Sequence, residues 1–348
     1  MNKKTKDNSA LDYPFSKRPP NGDVIEVFPN LYWLRMPLPI ALNHINLWLL
    51  EGDKGWTIVD SGMSNDESKE IWVNLFERLF KGKTLEKLLI THMHLDHSGL
   101  AGWLSDYWKV DPYFTEKEYH ETQILSKGLE KSQELIALDF YKSCGYDDAS
   151  IKRYLERVNL RKTLVTPLNR GYKKIENKDT VFLGNTEWEI VIAKGHSPEH
   201  ACLYSKENNI FICGDVLLPR ITPNISVRPF HAETNPLDDW IKSLKEIKER
   251  IPDDALILPS HGYPYYGAHK RIDAIIEDHM NKIETLFAFC KEPKNVIEVF
   301  PALFVNEINE NSLILAVGES LAHLNYLIGE DKMKMKKNNE GINYYQSI

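Results

Sequence analysis

The sequence predicts an α/β chain whose short strands run into loops rich in metal ligands, followed by a smaller helical and hairpin unit. Three observations predict it. Short β-rich runs broken by Pro, Gly and Asn alternate with segments of helical period. Ligand-type residues recur where strands give way to loops: in Thr91 to Gly99 (Thr-His-Met-His-Leu-Asp-His-Ser-Gly), Gly195-His196, Gly214-Asp215 and Ser260-His261-Gly262. The chain has 348 residues, 42% of them hydrophobic, enough for one large core and a smaller one.

Residues 1–22 are polar, carry Pro14, Pro19, Pro20 and Gly22, and read as a loose lead-in. A main domain over 23–290 opens with a meander of strands at Val24 to Phe28, Leu31 to Met36, His44 to Leu50 and Trp56 to Asp60. Asp66 to Phe80 has helical spacing in Ile71, Val73, Leu75 and Leu79, with Asp66 as the expected cap. Leu85 to Ile90 reads as a buried strand feeding the histidine string; a helix over Gly99 to Trp108 and a strand over Asp111 to Thr115 follow.

Residues 116–170 are charged, tyrosine-bearing and helical in period, and read as an insertion that either caps the site or forms a homodimer surface. Strands return at Thr180 to Phe182, Trp188 to Ala193, Ala201 to Tyr204, Ile210 to Cys213 and Ala255 to Leu258. A final unit over 291–348 is expected to hold helices at Pro293 to Phe304 and Ser312 to Ile328, then strands at Met333 to Lys337 and Ile342 to Tyr345.

The net charge of -7 and pI near 6.0 exert no global pull toward nucleic acid or an anionic membrane. Cys144, Cys202, Cys213 and Cys290 form no Cys-x-x-Cys pair and read as buried thiols of a reducing compartment. Met-Asn-Lys-Lys-Thr-Lys-Asp at the start has no apolar signal region, and no run of about 18 apolar residues occurs. A cytoplasmic protein with no membrane partner is expected.

Alternate side chains of an extended segment share a face, so His92 and His94 can meet one metal while the following turn swings Asp96 and His97 toward a second. Imidazole and carboxylate ligands suit zinc, with iron and manganese as alternatives.

Val59-Asp60-Ser61-Gly62, the His92 to His97 string, Gly195-His196, Gly214-Asp215 and Ser260-His261-Gly262 stand in the order found in the metallo-β-lactamase superfamily. The chain resembles that superfamily from about Val24 to Ala268. The resemblance implies an αββα sandwich with two divalent metal ions at one edge. It places His92, His94 and His196 on the first metal, Asp96, His97 and His261 on the second, and Asp215 between them. Asp60 would orient the metal loop by hydrogen bonds without ligating. The C-terminal unit resembles the small winged-helix domain of the thioesterase and endoribonuclease subgroup. Lys332, Lys334, Lys336 and Lys337 on its would-be wing are where a nucleic acid could bind; a solvated hairpin is the alternative.

Two cations sharing one water lower its pKa, and the resulting hydroxide would attack a carbonyl carbon or a phosphorus. Asp96 and Asp215 would flank that water, and either could accept its proton. The favoured substrate is a small thioester, ester or lactone; an RNA phosphodiester is the alternative. Persulfide oxidation at a single iron would leave Asp96, His97 and His261 without a shared duty. His200 is expected to bond a ligand or a loop. Arg220, Asn224 and Arg228, in the proline-rich stretch Pro219 to Pro229, are expected to line the substrate groove, where an arginine could hold a carboxylate or phosphate. Tyr263, Tyr265 and Tyr266 form either an aromatic wall beside the second metal or a packed cluster, and His44, His231, His269 and His279 read as ordinary.

Overall fold

The structure, a computed structural model, describes residues 11–39 and 42–348. Alternation along the strands builds two sheets with two unlike faces each. Strands β1 (Val24–Phe28), β2 (Leu31–Pro37), β3 (His44–Glu51) and β4 (Gly55–Val59) pair antiparallel in sequence. Helix α1 (Asp66–Arg78) then crosses back so that β5 (Thr84–Leu89) runs parallel to β4. The turn α2 (Leu95–Ser98), helix α3 (Ala101–Trp108) and strand β6 (Tyr113–Phe114) follow. Three helices, α4 (Glu116–Lys127), α5 (Lys131–Ser143) and α6 (Asp148–Arg161), precede β7 (Lys173–Lys174), the last of seven strands in this sheet.

The second sheet holds β8 (Thr180–Leu183), β9 (Thr186–Ala193), β10 (His200–Ser205) and β11 (Ile210–Gly214); after α7 (Pro236–Arg250), β12 (Leu256–Pro259) joins β11 in parallel. Trp33, Trp48 and Val59 of the first sheet face Trp188, Leu203 and Ile212 of the second in one core. Leu34, Leu47 and Ile58, one register step away, bury the other face of the first sheet under Trp72 and Leu75 of α1 and Leu104 of α3. The outer face of the second sheet, with Tyr204 and Phe211, is covered by Leu237 and Trp240 of α7 and by Ile272 and Ile275 of α8 (Ala268–Phe289). The layers are therefore αββα.

Beyond α8 come β13 (Lys294–Asn295), α9 (Phe300–Leu303), α10 (Leu313–Gly329), β14 (Met333–Lys337) and β15 (Asn343–Ser347), the strands forming a small sheet in the order β13-β15-β14. This unit shares its core with the rest: Val299, Phe300, Leu303 and Tyr345 belong to the same buried cluster as Tyr141, Tyr146 and Tyr154 of the insertion. Arg153 on α6 pairs with Glu310 at 3.1 Å, and Arg157 donates to the Asn311 carbonyl. The insertion thus packs against the C-terminal unit.

Four sequence expectations change. Asn65, not Asp66, caps α1, its side chain accepting from Ser68 N at 2.8 Å; Asp66 sits in the first turn, where its charge suits the helix dipole. The helix expected from Pro293 shrinks to α9, because Asn295 Oδ1 accepts from the backbone of Ile297 and Glu298 (2.9 and 3.0 Å) and closes a turn there instead. Helices α7 and α8 were not anticipated, although α8 carries a buried stripe at Ile272, Ile275, His279, Ile283 and Leu286. Of the lead-in, residues 1–10 lie outside the described residues; from Leu11 the chain is held, with Asp12 paired to Tyr266 and Phe15 packed on Trp33. Among the described residues no helix is long and apolar enough to cross a membrane.

A buried histidine pair joins α8 to α10. His323 Nδ1 donates to the Glu319 carbonyl (2.8 Å), leaving its Nε2 to accept from His279 Nδ1 at 3.3 Å. Burial lowers both below the ordinary imidazole range; the two rings repel each other's charge on His279, and Lys282 adds to this, while Glu319 and Asp278 partly offset it on His323. The unfolded chain therefore takes up protons first, and stability falls as pH drops below about 6.5, by up to about 1.4 kcal/mol per pH unit for each histidine. Urea unfolding of the metal-loaded chain between pH 7.5 and 5 should show this loss, and a His279→Leu/His323→Leu variant should show a smaller one. Identical slopes would count against the pair.

Candidate active site

Five strand ends, those of β4, β5, β9, β11 and β12, converge at one edge of the sandwich. At the end of β4, Asp60 takes a left-handed backbone (φ 64°) and is 2% exposed. Its Oδ1 accepts from Thr91 N at 2.8 Å, and its Oδ2 lies 2.8 Å from His97 Nδ1. A carboxylate accepts only, so His97 must donate from Nδ1 and turns its Nε2 to the site. Ser61 ties down the same loop, its N and Oγ each donating to the His97 carbonyl at 2.7 Å. Beyond β5, His92 and His94 precede α2, which carries Asp96 and His97 on one short helical turn.

The second sheet contributes the other candidate ligands. His196 follows Gly195, whose φ of 112° and packing leave no room for a side chain: a Cβ there would lie 2.5 Å from Trp240 Cβ. Asp215 follows Gly214, against which the His200 ring is packed. His200 Nε2 accepts from Asp215 N at 3.2 Å, and the ring stacks on His92 at 4.5 Å, so His200 is a buried support for two candidate ligands. His261 lies two residues beyond β12; its Nδ1 donates to the His44 carbonyl at 2.8 Å.

The donor atoms gather in two clusters, His92, His94, His196 and Asp215 in one and Asp96, His97 and His261 in the other, each within 4.8 Å. His92 Nε2 lies 2.9 Å from His94 Nδ1 and 3.3 Å from His196 Nε2. Nitrogens bound tetrahedrally at 2.0–2.1 Å from zinc stand about 3.3 Å apart, so this cluster has the span of a metal's ligand shell. Asp215 faces both ways: Oδ2 is 3.4 Å from His196 Nε2, and Oδ1 is 3.5 Å from both His97 Nε2 and His261 Nε2. His97 Nε2, His261 Nε2 and Asp215 Oδ1 are buried without a hydrogen-bond partner. Such atoms are costly unless something binds them, and a cation fits all three.

The electrostatics agree. Burial alone would raise both carboxyls, but His97 and His261 hold Asp96 down at about 2 and Asp215 well below the carboxylate range. Burial lowers His92 and His94 far below the imidazole range, with the neighbouring rings adding repulsion. His97 and His261 shift upward instead, because Asp215 and the other carboxylates outweigh their burial. A cation would replace the protons that these two rings otherwise hold.

Of the residues expected in the substrate groove, only Arg228 touches the ligand loop. Its Nη1 lies 3.2 Å from Met93 Sδ and 3.2 Å from Glu121 Oε2 on α4. The Asn224 side chain turns away to α10, and it is the backbone carbonyl that meets the site, accepting from His196 Nδ1 at 2.9 Å. Arg220 is exposed, its guanidinium 5.9 Å from the Tyr13 ring centre. Tyr265 is core, donating to the Leu217 carbonyl at 2.9 Å, and Tyr263 packs on Trp33; the tyrosines form a packed cluster.

Sequence reasoning missed Glu118. This carboxylate on α4 is fully buried and accepts from Met93 N (2.9 Å), Ser197 Oγ (2.7 Å) and Glu199 N (2.7 Å), joining the loops that carry His94 and His196. Burial raises its carboxyl while the three donors pull the other way. Nothing in the sequence distinguishes it from Glu116 or Glu121 on the same helix. His44, ordinary by sequence, also supports the site: its carbonyl orients His261, and its ring, lowered to about 4 chiefly by burial, meets His261 edge to face.

Residues 41–262 match the model of the metallo-β-lactamase superfamily, and residues 283–348 match that of the metallo-β-lactamase-like C-terminal domain. The chain belongs to the metallo-β-lactamase superfamily and is a metallo-hydrolase of that fold. A β-lactamase domain protein from Burkholderia ambifaria is 34% identical in sequence and superimposes with a TM-score of 0.89 over 98% of this chain and 99% of its own. The probable metallo-hydrolase YqjP of Bacillus subtilis is 23% identical over 86% of this chain and 92% of its own length. Acyl-coenzyme A thioesterase MBLAC2 of Gallus gallus is 21% identical over 72% of this chain and 84% of its own.

Proposed function

We propose that the chain is a dinuclear zinc hydrolase of small thioesters, esters or lactones. The observation that carries the reading is Asp215, which directs one oxygen toward each of two ligand clusters. Divalent cations held there would lower the pKa of a shared water and polarise the carbonyl oxygen of the substrate. Asp96 and Asp215, both held ionised, belong one to each cluster, and either would be placed to accept a proton from a water held there. Asp60, by fixing the His97 tautomer, keeps the ligand geometry in place through the reaction. Arg228, beside the ligand loop and half-buried, suits an anionic group on the substrate, and Glu121 holds it in position until one arrives.

A thioester is favoured over other acyl compounds because a relative that the chain matches over most of its length is named an acyl-coenzyme A thioesterase. Four free, buried cysteines suit a reducing, cytoplasmic setting. Phosphodiester cleavage is the second reading. Its support is the β14–β15 hairpin of a winged-helix-like unit, where Lys336 lies opposite Tyr344; the net charge of -7 opposes it. The test is a panel of acyl-CoA thioesters, lactones, aryl esters, a phosphodiester and a short RNA with the zinc-loaded chain. Turnover of the carbonyl substrates is expected. Cleavage of RNA with none of the acyl compounds turned over would overturn the first reading in favour of the second.

A further inference from the structure

Metal-ligating imidazoles bind through one nitrogen and are oriented through the other. For His196 the orienting partner is the Asn224 carbonyl, 2.9 Å from Nδ1. Asn224 lies in a stretch, Thr222 to Arg228, that has neither helix nor strand, so no backbone ladder fixes where that carbonyl points. Ile225 and Val227 are buried and set the depth of the stretch. Asn224 and Val227 tie it to α10. Asn224 Nδ2 donates to Glu319 Oε2 at 3.1 Å and to the Leu315 carbonyl at 3.3 Å, and Val227 N donates to the Gly318 carbonyl at 3.1 Å. Ser226 donates to Asn224 Oδ1 and packs on the bare face of Gly318, where a Cβ would lie 2.6 Å from Ser226 Oγ.

Glu319 is 5% exposed, and its other oxygen lies 3.5 Å from Lys282 Nζ on α8. A buried carboxylate with a cation on one side and an amide on the other has one well-defined place. We propose that α10 completes the first metal cluster, with Glu319 as a positioning residue that acts through Asn224 on His196. The C-terminal unit is then part of the metal centre rather than an appendage to it. The path is Glu319 to the Asn224 amide, through the Asn224 backbone to its carbonyl, and from there to the imidazole that would ligate. This rests on the ligand assignment above and is independent of the substrate.

The test reads metal rather than turnover. Zinc affinity of the full chain is measured by competition with a chromophoric chelator, and the visible spectrum of the cobalt-substituted protein is recorded, for Asn224→Ala, Glu319→Ala, Glu319→Gln and His196→Ala. Asn224→Ala keeps the carbonyl that touches His196 and removes the side-chain tie to α10 together with the bond from Ser226. Both Asn224→Ala and Glu319→Ala should hold one of two zinc ions about tenfold or more less tightly, with the other ion unaffected and the cobalt spectrum altered. Glu319→Gln, whose side-chain carbonyl still accepts from Asn224, should stay within about twofold of the parent. Parent-like affinity at both sites in Asn224→Ala, or equal loss at the two sites, would overturn the proposal; should Glu319→Ala not fold, Asn224→Ala decides alone. Unchanged metal content in His196→Ala would instead overturn the ligand assignment itself, so the two failures are distinguishable.

Discussion

Asp215→Ala is expected to empty both metal clusters and to lower kcat/KM by about a thousandfold or more. The reason is its position: Oδ2 lies 3.4 Å from His196 Nε2 in one cluster and Oδ1 3.5 Å from His97 Nε2 and His261 Nε2 in the other. Its two oxygens thus lie one against each group of candidate ligands. Losing the cations removes the Lewis acid and the acidified water together, a matter of several kcal/mol of transition-state stabilisation. His261→Ala makes the contrast, since its ring belongs to the second cluster alone and only that ion should be loosened. Metal content of the two variants by elemental analysis, measured beside kcat/KM, reads this directly. Equal content in both variants and the parent would sink the ligand assignment.

Glu118→Ala should be the most destabilising single change near the site that removes no ligand. It leaves Met93 N, Ser197 Oγ and Glu199 N without their acceptor in a fully buried place. An orphaned buried donor costs about 1–3 kcal/mol, so the sum is several kcal/mol and the melting temperature should fall by roughly 5–15 °C. The loss should appear in metal binding too, because Met93 lies between His92 and His94 and Ser197 follows His196. Glu118→Gln keeps the volume and one acceptor and should fall between parent and Ala. A Glu118→Ala protein with parental melting temperature and zinc affinity would show that the loops hold themselves.

The parts of this molecule that were legible in the sequence are local ones. The strands before the ligands announce themselves by apolar runs a few residues long, and the ligand string from His92 to His97 is contiguous. Positions such as His196, Asp215 and His261 were recognisable because each stands where a strand ends. What escaped is long-range or masked by charge. Glu118 meets Ser197 and Glu199 across about eighty residues, and Asn224 meets Glu319 across ninety-five. A glutamate on a charged helix gives no sign that it will be the buried one. Helix α8 mixes Lys, Arg, Glu and Asp with a narrow apolar stripe, which blunts the contrast that periodicity relies on. Of the two arginines in the proline-rich stretch, spacing could not tell Arg228, which reaches Met93, from Arg220, which packs on Tyr13. That choice is made by backbone turns without a pattern.

The central claim is that this chain holds two metal ions in the paired clusters that Asp215 joins. The direct measurement is zinc stoichiometry after reconstitution and exhaustive dialysis, by elemental analysis against an accurate protein concentration. The account predicts two ions per chain in the parent and one in His261→Ala. One ion per chain in the parent, unchanged by His261→Ala, would contradict it.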